Sequence, residues 1–225
     1  HRYLVSFARR GYVMQQPAGR NQLGPAAVKV GLSAVSQMDY VRLVTPVLTE
    51  LSVALNETAF AAIWSPEGPM ILRFAAPWRP VAVNVRIGSL LPMLTSAVGR
   101  VFTAWHPPAL TRPIIEAQLR AGTSRRKAVP WSEVDAIRSE VRGSGVGVVR
   151  GDYVAGVNSV SAPILDHQHQ LVAALAVVGL EGRLDESKLR NASKLVKAAA
   201  ADVSAQLGHK AGSVVGFTTD SESWG

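Results

Sequence analysis

Cysteine is absent from the sequence, and charged residues make up only 18% of it. The absence of cysteine excludes disulfides, thiolate nucleophiles and cysteine-ligated zinc, and it is typical of a reducing compartment, so we expect a cytoplasmic protein. Long hydrophobic runs are also missing. Residues 171–180 form one of the longest apolar stretches, well short of the ~20 residues that a membrane span requires, so we expect no span.

The apolar share is 48% of 225 residues, which is enough for one sizeable core with or without a small appendage. This composition predicts a globular protein rather than a disordered one. The sequence begins with His1 and Arg2 instead of an initiator Met, and no signal-peptide pattern follows. We therefore expect that the true N-terminus lies upstream.

Acidic residues are absent from the first 38 positions, and the first acid is Asp39. The basic residues of this segment are Arg2, Arg9, Arg10, Arg20 and Lys29. The segment therefore carries +5 of the net charge of +8. A compact basic element favours a nucleic-acid backbone as partner, while anionic lipid, an acidic protein or a solvated basic face remain alternatives.

Sequence signatures of catalysis are missing too. There is no Gly-x-Ser-x-Gly nucleophile elbow and no phosphate-binding Gly-x-x-x-x-Gly-Lys-[Ser/Thr] loop, which argues against a small hydrolase. A run of closely spaced glycines resembles a dinucleotide-binding fingerprint: Gly143, Gly145, Gly147 and Gly151. However, these glycines precede a predicted strand, whereas a pyrophosphate binds at the N-terminus of a helix. We expect no enzymatic activity and no cofactor.

Two histidines, His167 and His169, are two positions apart, and on a strand this spacing would place both rings on one face as a metal pair. Asp166 is the only further candidate ligand close in sequence. Polar residues in a hairpin turn need no function, so the pattern favours an ordinary turn without a metal.

The basic segment has the pattern of a short helix, a small hairpin and a longer helix. Residues 2–10 predict a helix that Gly11 stops, and β-like runs at 12–15 and 21–23 predict a hairpin. Pro25 favours the start of a helix that extends to residue 38, and a second helix is predicted over about 40–55.

The rest of the chain, to about Gly208, has the pattern of an α+β domain in which helices flank an antiparallel sheet. Three successive extended runs predict a meander, and two later runs joined by a polar turn predict a hairpin. Ser132 and Asp135 predict a capping box for one helix. The predicted strands are 58–64, 70–76, 81–87, 146–149, 157–165 and 171–178, and the predicted helices are 94–105, 111–119, 132–142 and 185–207.

Small residues follow Pro92 at the start of a predicted helix, namely Ser96, Ala97 and Gly99. The backbone N–H groups of such a helix start can bind an anion, which would make the region a ligand site. Alternatively, Ala97 and Gly99 only permit close packing of the helix on the sheet.

Four sequence blocks in this order resemble the IclR family of transcription regulators. RYLVSFARRGYV is similar to the end of that family's recognition helix and the first wing strand, and GRNQLGPAAVKVG to the second wing strand and the entry to the linker helix. IGSLLPMLTSAVGRVFTAW is similar to the Gly-x-x-x-Pro block with its pocket-lining helix. GVNSVSAPILDHQHQLVAALAVVG is similar to the late hairpin of the family.

The resemblance implies a partial winged helix-turn-helix over 1–24, a linker helix over 25–38, a GAF-like effector domain over 39–208 and a flexible tail over 209–225. It implies a homodimer or tetramer that binds operator DNA and responds to a small ligand, with the first two helices of the DNA-binding domain absent from this sequence. The residues implied in phosphate or minor-groove contact are Arg2, Arg9, Arg10 and Arg20, with Arg20 the leading candidate.

The resemblance also implies a set of ligand-binding residues. Backbone N–H groups would come from Ala97 and Val98, and the side chains would be those of Leu91, Val149, Arg150, Ser159, Ala176 and Val178. Polar residues that some family members have near the last strand are replaced here by Ala176 and Val178, and GVGVVRGDY places Val149 or Arg150 near the usual acidic position. These departures favour a more apolar organic acid, including an aromatic one, with Arg150 as carboxylate partner.

A second interpretation remains open at this point. The chain could be a stand-alone α+β small-molecule-sensing domain whose basic helix binds a protein partner rather than DNA.

Overall fold

The computed structural model describes residues 2–16, 20–36, 39–78, 85–121 and 129–210. The chain divides into two compact units, His1–Arg42 and Leu43–Gly225. Within the described ranges, every helix is too short or too polar to span a membrane.

The first unit contains helix α1 (Arg2–Arg9), strands β1 (Val13–Gln15) and β2 (Asn21–Leu23), and helix α2 (Pro25–Ser36). Gly11 adopts the left-handed conformation expected of a helix stop, with φ +71°, and the two strands pair antiparallel. The hairpin and both helices are thus confirmed, while residues 17–19 and 37–38 of these predictions lie outside the described residues.

At Gly24 the hairpin lies close to the start of α2, and backbone hydrogen bonds connect the two. The Gly24 N–H donates to Tyr12 O at 2.8 Å, and Ala26 N donates to Gly11 O at 3.1 Å. A Cβ at position 24 would lie 2.1 Å from Gly11 O, so this close approach of two backbone segments requires glycine.

Helix α3 (Asp39–Leu55) spans the division between the units. The sheet of the second unit consists of β3 (Thr58–Ser65), β4 (Gly68–Ala75), β5 (Gly147–Arg150), β6 (Val157–Leu165) and β7 (Leu171–Leu180). The strand order is β4-β3-β7-β6-β5, and all neighbours are antiparallel.

Helices cover both faces of this sheet. Helices α4 (Ala97–Trp105) and α7 (Glu186–Gln206) pack on the strands, while α5 (Pro108–Arg120) and α6 (Trp131–Ser144) pack against α4. On one face, Phe60 and Ala176 pack with Val98 and Phe102 of α4 in a buried apolar cluster. On the other face α7 packs on β6 and β7.

Helix α7 is fixed at both of its ends. Asp185 caps its N-terminus by accepting from Lys188 N at 2.9 Å, and Gly208 follows its C-terminus with φ +85°. Both features agree with the predicted helix and its stop at Gly208.

The third strand of the predicted meander is not found where the structure describes it. Residues 81–84 lie outside the described residues, and 85–87 belong to no strand. Ile71 N donates instead to Ser89 O at 2.9 Å, and a single bridge joins Met70 to Leu90. A short segment therefore occupies this part of the outer edge of β4.

The predicted capping box at Ser132 is wrong. Helix α6 begins one residue earlier, at Trp131, and its N-cap is Pro130, whose extended ψ of 141° directs the chain into the helix. The carbonyl of Pro130 accepts from Glu133 N and Val134 N, so Ser132 lies within the first turn. Likewise α4 begins at Ala97 rather than at residue 94.

Candidate functional site

A cavity of about 360 Å³ lies between the sheet and the amino end of α4, wholly within the second unit. This volume is within the range of small-molecule sites. The described residues that line it are Phe60, Ile71, Val85, Ser89, Leu90, Leu91, Ser96, Ala97, Val98, Val149, Tyr153, Val154, Val157, Ser159 and Val178.

The floor of the cavity includes a row of residues that runs across the sheet. Val149 of β5 pairs with Ser159 of β6, and Ser159 pairs with Val178 of β7. Directly opposite residues on neighbouring strands project to the same face, so all three side chains face α4. The Ser159 hydroxyl donates to Val177 O at 2.9 Å, which leaves its oxygen available as an acceptor.

The predicted role of Arg150 as carboxylate partner is not supported by its position. Successive side chains of a strand project to opposite faces, so the burial of Val149 in the cavity floor directs Arg150 away from it. The Arg150 guanidinium pairs with Glu186 at the start of α7. That pairing raises the pKa of Arg150 and lowers the pKa of Glu186.

The first turn of α4 supplies backbone donors at the wall of the cavity. Ser96 is the N-cap, and its hydroxyl accepts from Gly99 N at 2.9 Å and donates to Pro92 O at 2.6 Å. The N–H groups of Ala97 and Val98 have no acceptor among the described residues. Helix N-termini carry a partial positive charge, so these two groups suit an anionic oxygen.

Gly99 supports the packing explanation for the small residues at this helix start. A Cβ at position 99 would lie 2.0 Å from Pro92 O and 2.6 Å from Met93 Cα, so Gly99 is needed for close packing. Ala97 both lines the cavity and is 1% exposed. Gly99 therefore has a packing role, and Ala97 both packs closely, with its O 2.5 Å from the position of a Cβ at Gly147, and lines the cavity.

No charged side chain of the described residues lines the cavity. The polar lining is limited to Ser89, Ser96, Tyr153 and Ser159. A bound carboxylate would therefore depend on backbone donors and the dipole of α4 rather than on a guanidinium.

The cavity opens beside the loop between β5 and β6. Tyr153 and Val154 of this loop are 46% and 47% exposed although both also line the cavity. Leu90 is exposed to a similar degree, at 45%. These half-exposed side chains form the mouth of the cavity.

The structure brings six of the eight sequence-predicted ligand residues to the cavity. They are Leu91, Ala97, Val98, Val149, Ser159 and Val178. Ala176 is buried in the neighbouring row, opposite Phe60 and Ser161, and Arg150 faces away. Sequence reasoning missed Phe60, because its apolar strand predicts burial without indicating which face it lines, and Tyr153, for which the sequence gives no signal.

The histidine pair lies in the turn between β6 and β7. Among the described residues, no cluster of three or more potential metal ligands is found. His169 has φ +60°, and its ring contacts that of His209 with centroids 4.7 Å apart.

The candidate DNA-binding arginines of the first unit are accessible where their side chains are described. Arg9, Arg10 and Arg20 are exposed, with Arg9 in the last turn of α1 and Arg20 directly before β2. Arg2 begins α1, and its side chain lies outside the described residues.

Comparisons with known proteins agree with this architecture. Residues 32–205 match the sequence model of the family described as bacterial transcriptional regulator IclR C-terminal. The chain is 28% identical to the HTH-type transcriptional regulator XynR of Escherichia coli K12 over 214 residues, 94% of this chain and 84% of the relative. It is 30% identical to the Pca regulon regulatory protein of Pseudomonas putida over 191 residues, 84% and 65% of the two chains.

A solved structure has a fold similar to that of this chain. The crystal structure of Pseudomonas aeruginosa HmgR is 29% identical, with a TM-score of 0.71 over 94% of this chain and 84% of that one. Both named relatives are described as regulators. Given a family match over most of the length and the shared fold, the chain belongs to the IclR family of bacterial transcription regulators.

Proposed function

We propose that this regulator binds operator DNA through its basic first unit and that a small, largely apolar organic acid in the cavity controls its DNA affinity. The cavity carries the second part of the proposal. Among the described residues, the N–H groups of Ala97 and Val98 have no acceptor and no charged side chain lines the cavity.

The chemistry of the lining selects the ligand class. A carboxylate would accept from the α4 N-terminus, and an apolar or aromatic body would fill the space next to side chains such as Phe60, Ile71 and Val178. A small keto acid such as glyoxylate would leave most of these apolar walls without contacts and would add a polar group with few partners. The proposed contact residues are Leu91, Ala97, Val98, Val149, Ser159 and Val178.

The charge of the first unit supports DNA as the partner. Residues 1–38 carry +5, and the described side chains of Arg9, Arg10 and Arg20 are exposed. In this proposal Arg2, Arg9, Arg10 and Arg20 contact phosphates or the minor groove, as expected of a recognition-helix end and a wing. The regulator acts as a homodimer or tetramer, so each operator would receive several such contacts.

Ligand control requires a ligand that binds two arrangements of the regulator with different affinities. Coupling of this kind is typically worth about 1–3 kcal/mol, or roughly 5- to 150-fold in DNA affinity. A ligand that lowers DNA affinity acts as an inducer of a repressor, and a ligand that raises it acts as a corepressor.

Titration calorimetry of the full-length protein with benzoate, phenylacetate, glyoxylate and pyruvate tests the ligand class. We expect the aromatic acids to bind and the two small keto acids to bind weakly. Tight binding of glyoxylate or pyruvate without binding of either aromatic acid would contradict the proposal.

A mobility-shift assay on the DNA upstream of the protein's own gene tests the partner. We expect a specific complex whose midpoint changes when the bound acid is added. A stand-alone sensing domain that binds a protein partner predicts no specific complex.

A further inference from the structure

The mouth of the cavity is lined by three large apolar side chains that are about half exposed. Leu90 is 45% exposed, Tyr153 is 46% exposed and Val154 is 47% exposed, and all three line the cavity. Covering apolar surface of this kind is favourable, because it removes that surface from water. Apolar side chains that are grouped around one opening indicate a binding site, unlike single apolar residues scattered over a surface. The mouth therefore suits an apolar part of a ligand.

The cavity extends from α4 toward this mouth along strand β6. Ser161 is fully buried opposite Ala176, which packs against α4, and Ser161 is not among the described lining residues. Ser159 and Val157 are the next residues of β6 on the same face, and both line the cavity. Val157 N donates to Val154 O at 3.1 Å, so the floor continues directly into the loop that forms the mouth. A ligand that begins at the N-terminus of α4 therefore reaches the mouth by passing over Ser159 and Val157.

The loop between β5 and β6 is held in place by its own contacts and by α4. Asp152, directly before Tyr153, pairs with Arg100 in the first turn of α4. Gly151 N donates to Val157 O at 2.9 Å and closes the base of the loop. Because these contacts fix the loop, packing of a ligand against Tyr153 requires little further loss of conformational entropy.

The size of the cavity favours a ligand that is larger than a single-ring acid. Its volume of about 360 Å³ is in the range of sites for drug-sized ligands. Benzoate at the N-terminus of α4 would leave part of the apolar lining without contacts, and such gaps lose dispersion energy. An aromatic acid with a longer apolar body would fill the cavity as far as the mouth.

We propose that the effector is an aromatic acid whose apolar body is longer than that of benzoate, and that Tyr153 selects it by packing against its distal end. This inference rests on the proposed function, in which the acid group lies at the N-terminus of α4. The ring of Tyr153 makes the contact rather than its hydroxyl, because the other two mouth residues, Leu90 and Val154, are apolar. Tyr153 is thus a specificity-determining residue that selects long acids over short ones.

Calorimetry of the full-length protein with benzoate, phenylacetate, 3-phenylpropionate and 4-phenylbutyrate tests the length of the ligand. These acids share the carboxylate and the ring and differ only in the number of methylenes between them. In the wild type, each added methylene should tighten binding by about 2- to 4-fold, as burial of its apolar surface predicts.

Two substitutions at Tyr153 test its role. In Tyr153→Ala, the affinity ratio of 4-phenylbutyrate to benzoate should fall by about 3- to 10-fold from the wild-type ratio, because the ring contact with the distal end is lost. Tyr153→Phe keeps the ring and should keep the ratio. Both affinities are measured in one preparation, so an inactive fraction of the protein does not change the ratio.

Leu110→Ala provides the matched control. Leu110 on α5 is 50% exposed, close to the 46% of Tyr153, but it is not among the described residues that line the cavity. Leu110→Ala should therefore keep the wild-type ratio. Both alanine variants should change the urea midpoint little, because each removes a half-exposed side chain.

The outcomes separate this inference from the proposed function. If benzoate binds and affinity does not rise with chain length, the longer body is overturned and the proposed function stands. If affinity rises but Tyr153→Ala keeps the ratio, the role of Tyr153 is overturned. The role is also overturned if Tyr153→Ala weakens all four acids by the same factor and lowers the urea midpoint, which would make Tyr153 a structural residue.

Two further results would also count against the inference. A fall of the ratio in Tyr153→Phe as large as that in Tyr153→Ala would assign the selection to the hydroxyl and overturn the packing role of the ring. If none of the four acids binds the wild type, the proposed ligand class and the role of Tyr153 both fail.

Discussion

Arg100 in the first turn of α4 joins that helix to Asp152 in the loop between β5 and β6, with Nη2 2.5 Å from Oδ2. The same guanidinium donates through Nε to Leu94 O at 2.9 Å and through Nη1 to Val148 O at 2.6 Å. The helix that offers backbone donors to the cavity and the loop that forms its mouth are therefore held by one side chain.

Arg100→Met should destabilise the protein by about 1–3 kcal/mol, because it removes a partly buried cation with three acceptors and leaves two carbonyls without this donor. The Arg100 side chain is only 19% exposed, so water would replace these bonds poorly. Urea unfolding followed by tryptophan fluorescence measures the change.

Asp152→Asn is the matched control for this ion pair. It removes the charge of a 36% exposed carboxylate and keeps both carbonyl contacts of Arg100, so the loss of stability should be below about 1 kcal/mol. An Asn variant as unstable as Arg100→Met would show that the carbonyl contacts contribute little.

Ala97→Pro should weaken benzoate binding about 10-fold or more, because it removes one of the two proposed donors to a charged oxygen. Proline is favourable at the first helical position, and Ser96 already has the extended conformation (φ −104°, ψ 147°) that must precede proline. The thermal midpoint should therefore change little. Calorimetry and thermal unfolding of the same preparation measure both quantities.

Ala97→Val controls for added volume at this position. It enlarges the side chain and retains the N–H, so it should bind benzoate better than Ala97→Pro. Equal weakening in both variants would mean that space, and not the donor, explains the effect.

Much of the second unit could be predicted from its sequence, because β6, β7 and the turn between them have strong apolar runs and one polar break. Of the third predicted strand, the structure describes only residues 85–87, and these form no strand for a tertiary reason. The outer edge of β4 pairs at Ile71 with the segment around Ser89, a relationship that no local pattern records. The N-cap of α6 failed because Pro130 enters the helix before the better capping residue Ser132.

The cavity was predictable only in part. The family resemblance predicted that Val98 and Ser159 line the ligand site, but it did not give the pairing register of the strands. The register decides which of two consecutive strand residues faces the cavity. Arg150 was misplaced for this reason.

Arg20→Ala should weaken operator binding and reduce the steepness of its salt dependence. Each phosphate that a cation neutralises adds about −0.9 to the slope of log affinity against log salt, so the slope should become shallower by about 0.9 for each phosphate that Arg20 neutralises. Mobility shifts of the full-length protein at several salt concentrations give this slope. Arg190→Ala, an exposed arginine on α7, should leave the slope unchanged.

The burial of His106 predicts that stability depends on pH. Its Nε2 is buried without a partner in the described part of the chain, and its ring lies between Trp64 and Phe102, with centroids 4.6 and 5.3 Å away. Burial lowers its pKa below the ordinary 6.5. The unfolded chain therefore takes up the proton first as the pH falls below 6.5, and the folded state loses stability there.

His106→Phe removes this group and keeps an aromatic ring in the cluster. Between pH 7.5 and 5.5, the wild type should lose more stability than the variant, as measured by urea unfolding at each pH. Equal changes would assign the pH dependence to other titratable groups.

The placement of Val149 and Arg150 on opposite faces of β5 has a consequence for the evolution and engineering of selectivity. Deleting one residue before the strand, or inserting one, would exchange the two side chains and bring a guanidinium into a cavity whose described lining is uncharged. A shift of β5 by one residue would then change the preferred ligand from an apolar acid to a strongly polar one, although the surrounding structure stays the same.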